Sequence, residues 1–250
     1  MEKIVNSSLI KIEDLVIGFT KETPLNASPW NFEIPESELV AIIGPNGSGK
    51  TSLLRALMGE PTGLSGGVFL KEEQGPVKEW SSQKICRYFS YLPQESQFDP
   101  LQLTKHQLGL AFLPTLGFFR TKVTPLERER LEFLIKESGL DPFLNKRLQE
   151  LSSGERQKVF LVRTLLQNSK IVLLDEPTNH LDPDVQETIW GLFKNEIKTR
   201  TVVVTTHDLA QVERHCDRVV ALSKEGLVFA GSVSDYKSQG IKRRIFPLID

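Results

Sequence analysis

Residues 39–57 read LVAIIGPNGSGKTSLLRAL, and they decide the fold class. Leu39-Val40-Ala41-Ile42-Ile43 is a continuous apolar run, which suits a strand buried on both faces, as in a parallel sheet. The run stops at a glycine. Beyond Thr51 the apolar residues Leu53, Leu54 and Leu57 change to helical spacing. The order is therefore strand, glycine loop, helix. Between strand and helix, Gly44-Pro45-Asn46-Gly47-Ser48-Gly49-Lys50-Thr51 fits the pattern G-x4-G-K-[ST]. Glycines let successive N–H groups turn inward toward phosphate oxygens with no Cβ in the way, and the helix adds its positive end. On this reading Lys50 reaches the β- and γ-phosphates, and the Thr51 hydroxyl ligates Mg²⁺. Ser52, on the same helix start, completes the candidate nucleotide-binding stretch. A glycine-rich surface loop is the bland alternative, and the placement between a buried run and a helix speaks against it.

A second apolar run, Ile171-Val172-Leu173-Leu174, ends in two acids, Asp175-Glu176, and then Pro177. A strand ending in charge is ordinary by itself. Beside a phosphate loop it acquires a use. Mg²⁺ at a triphosphate takes an acid at a strand end, which Asp175 supplies. Transfer of a phosphoryl group to water needs a group that orients and deprotonates the water, which Glu176 supplies from the next position.

The rest of the chain suggests strands first and helices in the middle. Ile10, Ile12, Leu15, Ile17 and Phe19 are spaced for a partly buried strand, 31–34 alternates, and the first 75 or so residues suggest a series of short strands. Helices are expected over 126–138, with Pro125 at its start and Gly139 past its end, then over 154–168 and 184–198. Thr201–Thr205 suits another buried strand, and 218–222 with 227–230 suits a hairpin around Glu225-Gly226. The pattern predicts an α/β domain with a mixed β edge at the start and an inserted helical piece in the middle.

The chain has 250 residues, enough for one large α/β domain. Lys plus Arg number 31 and Asp plus Glu 32, so no global charge field points to nucleic acid, and no nucleic-acid partner is expected. Two distant cysteines, Cys86 and Cys216, form no metal or disulfide pattern and are expected to be buried thiols in a reducing compartment. The start, MEKIVNSSLIKIEDL, lacks the apolar centre of a secretory signal, and no apolar run approaches the ~20 residues of a spanning helix. A cytosolic protein is expected, with any membrane contact peripheral.

Further stretches occur in a fixed order: Tyr91-Leu92-Pro93-Gln94, Leu151-Ser152-Ser153-Gly154-Glu155-Arg156-Gln157, Asn179-His180-Leu181-Asp182 and Thr205-Thr206-His207-Asp208. With the phosphate loop and the acid pair, they resemble the nucleotide-binding domain of an ATP-binding cassette (ABC) protein over roughly residues 9 to 235. The resemblance implies a P-loop NTPase core with an antiparallel β subdomain and an inserted α-helical subdomain. The chain would be one ABC ATPase domain over 1–250, with 1–98 and 155–250 as core and β subdomain and 99–154 as helical subdomain. It further implies that Gln94 senses Mg²⁺ and the attacking water, that His207 contacts the γ-phosphate, and that Asp182 crosses to another protomer. Ser152, Ser153, Gly154 and Glu155 would cap the nucleotide from the opposite subunit, with Ser152 and the Gly154 N–H at a helix N-terminus. The cofactors implied are ATP and Mg²⁺. One set of motifs cannot complete a site, so a head-to-tail homodimer with two ATP molecules is expected.

The usual signature of the family is LSGGQ. Here Ser153 stands for the first glycine, which would be strained if that position needs φ > 0, and Glu155 stands for glutamine. Phe19 is the nearest candidate for the adenine-stacking aromatic and reads equally as a core strand residue. YLPQ, the stretch before the signature and DEPTNHLD together resemble the ATPase subunits of importers for cobalamin, iron–siderophore and haem. Such a subunit sits on the cytoplasmic face of the inner membrane, bound to transmembrane permease subunits and served indirectly by an extracytoplasmic binding protein. The other class considered is a cassette protein that acts on ribosomes or in iron–sulfur cluster assembly. Residues 108–119, LGLAFLPTLGFF, form a strongly apolar stretch in the helical piece. Most of its side chains are expected in that piece's core and a few in a groove for a permease helix.

Overall fold

The computed structural model describes residues 8–20, 23–26, 28–60, 63–113, 123–179 and 181–246. In chain order the described strands are β1 (Ser8–Thr20), β2 (Thr23–Pro24), β3 (Trp30–Pro35), β4 (Leu39–Ile43), β5 (Gly63–Leu70), β6 (Phe89–Leu92), β7 (Ile171–Asp175), β8 (Thr201–Thr205), β9 (Arg218–Ser223) and β10 (Gly226–Ser232). The helices are α1 (Lys50–Leu57), α2 (Ser82–Tyr88), α3 (Thr104–Gly109), α4 (Pro125–Glu137), α5 (Ser153–Leu166), α6 (Pro183–Glu196), α7 (Leu209–His215), α8 (Val233–Ser238) and α9 (Ile241–Ile245). The expected helices are each present to within two residues.

Six strands form one sheet in the order β10-β9-β4-β8-β7-β6. All pairs from β9 to β6 are parallel, and β10 closes the edge as the antiparallel arm of the expected hairpin. Every residue of β4, β7 and β8 is buried, which is why these segments read as unbroken apolar runs rather than alternating ones. Alternation persists inside them. Leu39, Ala41 and Ile43 face one core, shared with α5 and α6, while Val40 and Ile42 face a second core with Leu53, Leu54 and Leu57 of α1. Because the strands are parallel, the loops after β4, β6, β7 and β8 all emerge at one edge of the sheet, where open α/β sheets place their ligands.

The second sheet is antiparallel and lies against the α1 core. Here the structure corrects the expectation of short strands: β1 runs for 13 residues and pairs with β3 on one side and β5 on the other. The pairing shifts between Ile12 and Leu15, and Asp14 sits there at φ 47. Such a bulge adds one residue and resets the alternation. Ile10 and Ile12 before it, and Leu15 and Ile17 after it, therefore all point into the core despite their odd spacing.

The C-terminal end of α5 is held by charge. Arg130 of α4 donates to the Leu165 carbonyl (3.0 Å) and to Glu196 (2.7 Å), and Arg200 donates to the Gln167 carbonyl (2.7 Å) and to Glu196 (2.6 Å). Glu196 and Arg200 are buried, so this cluster is a fixed joint between α4, α5 and α6; removing one partner would strand a buried charge.

The apolar stretch 108–119 divides as far as it is described. Leu108, Ala111 and Phe112 are buried, whereas Leu110 and Leu113 are 38% and 60% exposed. Phe119 lies outside the described residues. Cys86 is exposed, contrary to expectation, because α2 lies on the surface and buries none of its residues. Cys216 is buried, and burial pushes its thiol well above the usual range, which leaves it unreactive.

Candidate nucleotide-binding site

The loop after β4 has no freedom to be anything but tight. A Cβ on Gly44 would lie 2.5 Å from the Leu222 carbonyl oxygen and 2.6 Å from the Ser48 hydroxyl, so only glycine fits. Gly49 occupies the N-cap of α1 at φ 93, with no side-chain cap and no acid in the first turn. The first N–H groups of α1 are thus left to the loop and to whatever the loop binds. The Ser48 hydroxyl is buried without a hydrogen-bond partner, a polar atom suited to an oxygen-rich ligand.

This loop forms one wall of a cavity of about 720 Å³, lined by Gly44, Pro45, Asn46, Gly47, Gly49, Lys50, Thr51, Ser52, Gln94, Glu176 and His207, with Leu25 and Phe246. Residues far apart in sequence meet because β4, β8, β7 and β6 are adjacent in the sheet. Leu25 and Phe246 were not foreseen. Neither belongs to a motif, and only their position in the fold reveals them. The Phe19 side chain lies outside what the structure describes.

The Lys50 ammonium is buried and donates to the carbonyls of Gly44 (2.9 Å) and Pro45 (3.2 Å). Burial lowers its pKa, and the charges of Glu176 and Asp175 oppose that shift. An anion at the loop would act in the same direction as these acids and hold the lysine charged.

Asp175 is 1% exposed and both its oxygens are engaged. Thr51 donates its hydroxyl to Oδ2 at 2.8 Å, and Thr205 donates to Oδ1 at 2.6 Å. Glu176 follows at φ 49, in the left-handed region that a residue before proline rarely adopts. Its N–H donates to the Thr205 hydroxyl at 2.8 Å. Its carboxylate accepts from the Gln94 amide at 3.2 Å and from the Asn179 amide. Thr205 and Asn179 stand in the motif stretches read from the sequence, but these contacts to the acid pair were not foreseen. The signal for Thr205 lies in the sheet register, which sets it directly beside Asp175.

A divalent cation fits the donor set. Among the described residues there is no group of three or more His, Cys, Asp or Glu side chains able to hold a metal. The cleft lining offers the Thr51 hydroxyl and the Gln94 side chain, with the Asp175 carboxylate buried directly behind Thr51: few and hard oxygen donors. That set suits Mg²⁺, which keeps waters and shares phosphate oxygens rather than filling a protein cage.

The signature residues lie elsewhere. Ser152, Ser153, Gly154 and Glu155 do not line the cavity; they form the N-terminus of α5. Ser152 accepts from the Glu155 N–H (3.2 Å) and Glu155 accepts from the Ser152 N–H (2.7 Å), a reciprocal capping box. These bonds hold the Glu155 carboxyl below the usual carboxylate range. Ser153 is the first residue of the helix and has no positive φ, so the strain considered for it does not arise. Asp182 is exposed, also outside the cavity, at the N-cap position of α6, where its side chain makes no cap bond. His180 lies outside the described residues.

Comparison with known proteins agrees with this geometry. The family described as ABC transporter matches residues 27–179. The zinc transport system ATP-binding protein TroB of Treponema pallidum (strain Nichols) is 30% identical over 94% of this chain and 85% of its own length. The iron(3+)-hydroxamate import ATP-binding protein FhuC of Bacillus subtilis (strain 168) is 28% identical over 96% of this chain and 88% of its own. Among solved structures, a dimeric post-hydrolysis state of an ATP-binding cassette bound to ADP and Pi superposes with a TM-score of 0.76. It is 26% identical, covering 90% of this chain and 99% of that one.

Proposed function

The chain belongs to the ABC transporter family of ATPases, and we propose that it is the ATP-hydrolysing subunit of an importer, energising uptake of a metal chelate such as an iron–siderophore, haem or cobalamin. The observation that carries the mechanism is the division of the site. The phosphate loop, Glu176, Gln94 and His207 share one cavity, with Asp175 buried directly behind Thr51, while Ser152–Glu155 and Asp182 lie outside it. A second copy, turned head to tail, brings its α5 N-terminus over the first copy's phosphates. Relatives that handle zinc and iron(3+)-hydroxamate support a metal or metal-chelate cargo.

In this reading ATP lies along the phosphate loop, with Lys50 moving from the Gly44 and Pro45 carbonyls to the β- and γ-phosphates. Thr51, Asp175 and Gln94 would hold Mg²⁺, which supplies charge neutralisation on those phosphates. Glu176, steadied by Gln94 and Asn179, orients the attacking water and takes its proton. His207 contacts the γ-phosphate. Ser152 and the Gly154 N–H of the second copy complete the anion site, so binding closes the dimer and hydrolysis opens it.

The dimer's strokes reach a transmembrane permease through the helical piece. Phe98, Leu101, Leu110 and Leu113 are large apolar side chains left exposed there, in the elements that follow Gln94. They suit a cytoplasmic helix of a membrane protein. Among the described residues no helix is long and apolar enough to cross a membrane, so the membrane contact is peripheral in this proposal. An extracytoplasmic binding protein would deliver the cargo to the permease.

The test is co-purification of the full chain from its host, with membranes and ribosomes separated before detergent extraction. Recovery with a polytopic permease supports the importer, and the permease then identifies the cargo. Recovery with ribosomes or soluble cluster-assembly proteins overturns it in favour of a non-transport cassette ATPase.

A further inference from the structure

Thr205 ends a strand, TVVVT, whose other interior positions are Val202, Val203 and Val204. It is 0% exposed. For strand propensity and burial alone a fourth valine would serve as well, since both are β-branched and nearly equal in shape. A buried hydroxyl is costly unless it is bonded. This one is bonded twice, and both partners belong to the acid pair. It donates to Asp175 Oδ1 at 2.6 Å and accepts the Glu176 N–H at 2.8 Å.

We infer that Thr205 is a positioning residue for hydrolysis: its single hydroxyl locks Asp175 and Glu176 to the strand that leads directly into His207. The inference rests on the reading of Asp175 as the Mg²⁺-side acid and Glu176 as the base. Three features converge on it. The register of β7 on β8 sets Asp175 beside Thr205. Glu176 sits at φ 49 before Pro177, a conformation that persists only where surrounding bonds impose it, and its N–H is one of those bonds. Asp175 Oδ2 is already taken by Thr51, so Thr205 fixes the remaining oxygen and with it the rotation of the carboxylate. Two residues further on comes His207, also in the cavity wall. The hydroxyl thus ties together groups that flank the γ-phosphate from two strands, without touching nucleotide itself.

The experiment compares Thr205→Val with Thr205→Ser in the purified full chain, measuring steady-state turnover, KM for ATP and thermal unfolding, with Glu176→Gln alongside. The valine variant is expected to lose about 10- to 100-fold in kcat, the effect of misplacing reacting groups by a fraction of an ångström to an ångström. KM should change much less than kcat, because Lys50 and the loop N–H groups are untouched and Thr51 still holds Asp175 Oδ2. Serine, which keeps the hydroxyl, should restore turnover. Should the valine variant fail to fold, Thr205→Ala against Thr205→Ser gives the same contrast. Turnover of the valine or alanine variant equal to that of the unaltered chain, or a serine variant no better than valine, would overturn the inference. If Glu176→Gln still hydrolyses ATP normally, the assignment of the base itself fails, and that outcome is separate from a failure confined to Thr205.

Discussion

Two helix N-termini in this molecule are read as anion sites, and they are built in opposite ways. The start of α1 has a left-handed glycine at its cap, no capping side chain and no acid in its first turn. The start of α5 has a complete capping box, with Glu155 as the acid. Each α-helix leaves four N–H groups without intrahelical partners, and either a side chain or a ligand can take them. At α1 they are left open toward a cavity. At α5 two N–H groups are already satisfied within the chain, and a negative charge stands beside them. The first end is prepared for strong, standing phosphate binding. The second is a stable helix start; in the proposed dimer it would contribute weakly and only when another subunit brings it to the phosphate, as suits a contact that forms and breaks in each cycle.

Substitutions at the two ends should therefore differ in kind. The largest effect is expected from Lys50→Ala. Losing a charged hydrogen bond to phosphate costs about 1.5–3 kcal/mol, or about 10- to 100-fold in ATP affinity. Titration with ATP checks this, and a smaller loss at Lys50 than at Ser152 would reverse the comparison. Next, Gly49→Ala forces a Cβ into φ 93 and should cost about 1–2 kcal/mol. A Cβ there meets only ordinary contacts with Ile17 and Trp30, at 3.4 and 3.5 Å, so the loss is backbone strain rather than a clash. Thermal unfolding with and without ATP measures it.

At the other end, Ser152→Ala removes the cap and should lower stability by about 1 kcal/mol, with ATP binding by the isolated subunit unaffected. The smallest change is expected from Glu155→Gln. The amide keeps the capping box and removes the charge, so ATP-driven association should strengthen about 2- to 5-fold, as expected for one charge near a helix end. Dimerisation followed by sedimentation would detect it. The pH dependence carries a sign. Because the folded carboxyl of Glu155 is held below its unfolded range, its contribution to stability is present above about pH 4.3 and disappears as pH falls through the depressed value. Glu155→Gln should remove that part of the acid dependence.

Much of the site was legible because its parts are local. GPNGSGKT needs only its own backbone to form, and LSSGERQ carries its cap and acid three residues apart. Buried parallel strands announce themselves by continuous apolar runs, which located β4, β7 and β8. Ile10 to Phe19 was read as one strand but in a region expected to hold only short ones, because a bulge between Ile12 and Leu15 broke the alternation that could have indicated the 13-residue length of β1. Cys86 was expected to be buried because cysteine usually is, but burial belongs to the helix that carries it, and α2 lies on the surface. Leu25 and Phe246 gave no signal, and Asn179 and Thr205 stood in quoted motifs without a role. Their place in the site follows from strand order and from a chain segment returning to the cleft, neither of which has a short-range pattern.

By itself the sequence determined what each segment is able to do: which loop binds phosphate, which strand ends in acids, which helix begins with a cap. These are properties of neighbouring residues, set by backbone freedom, side-chain chemistry and period. Tertiary structure alone decided which of them act together. The order β4-β8-β7-β6 put Lys50, Glu176, Gln94 and His207 around one cavity, set Asp175 behind Thr51, and left Ser152–Glu155 outside. The physical reason is that sheet order and register come from long-range burial on two faces, so the distance between two motifs along the chain carries no information about the distance between them in space.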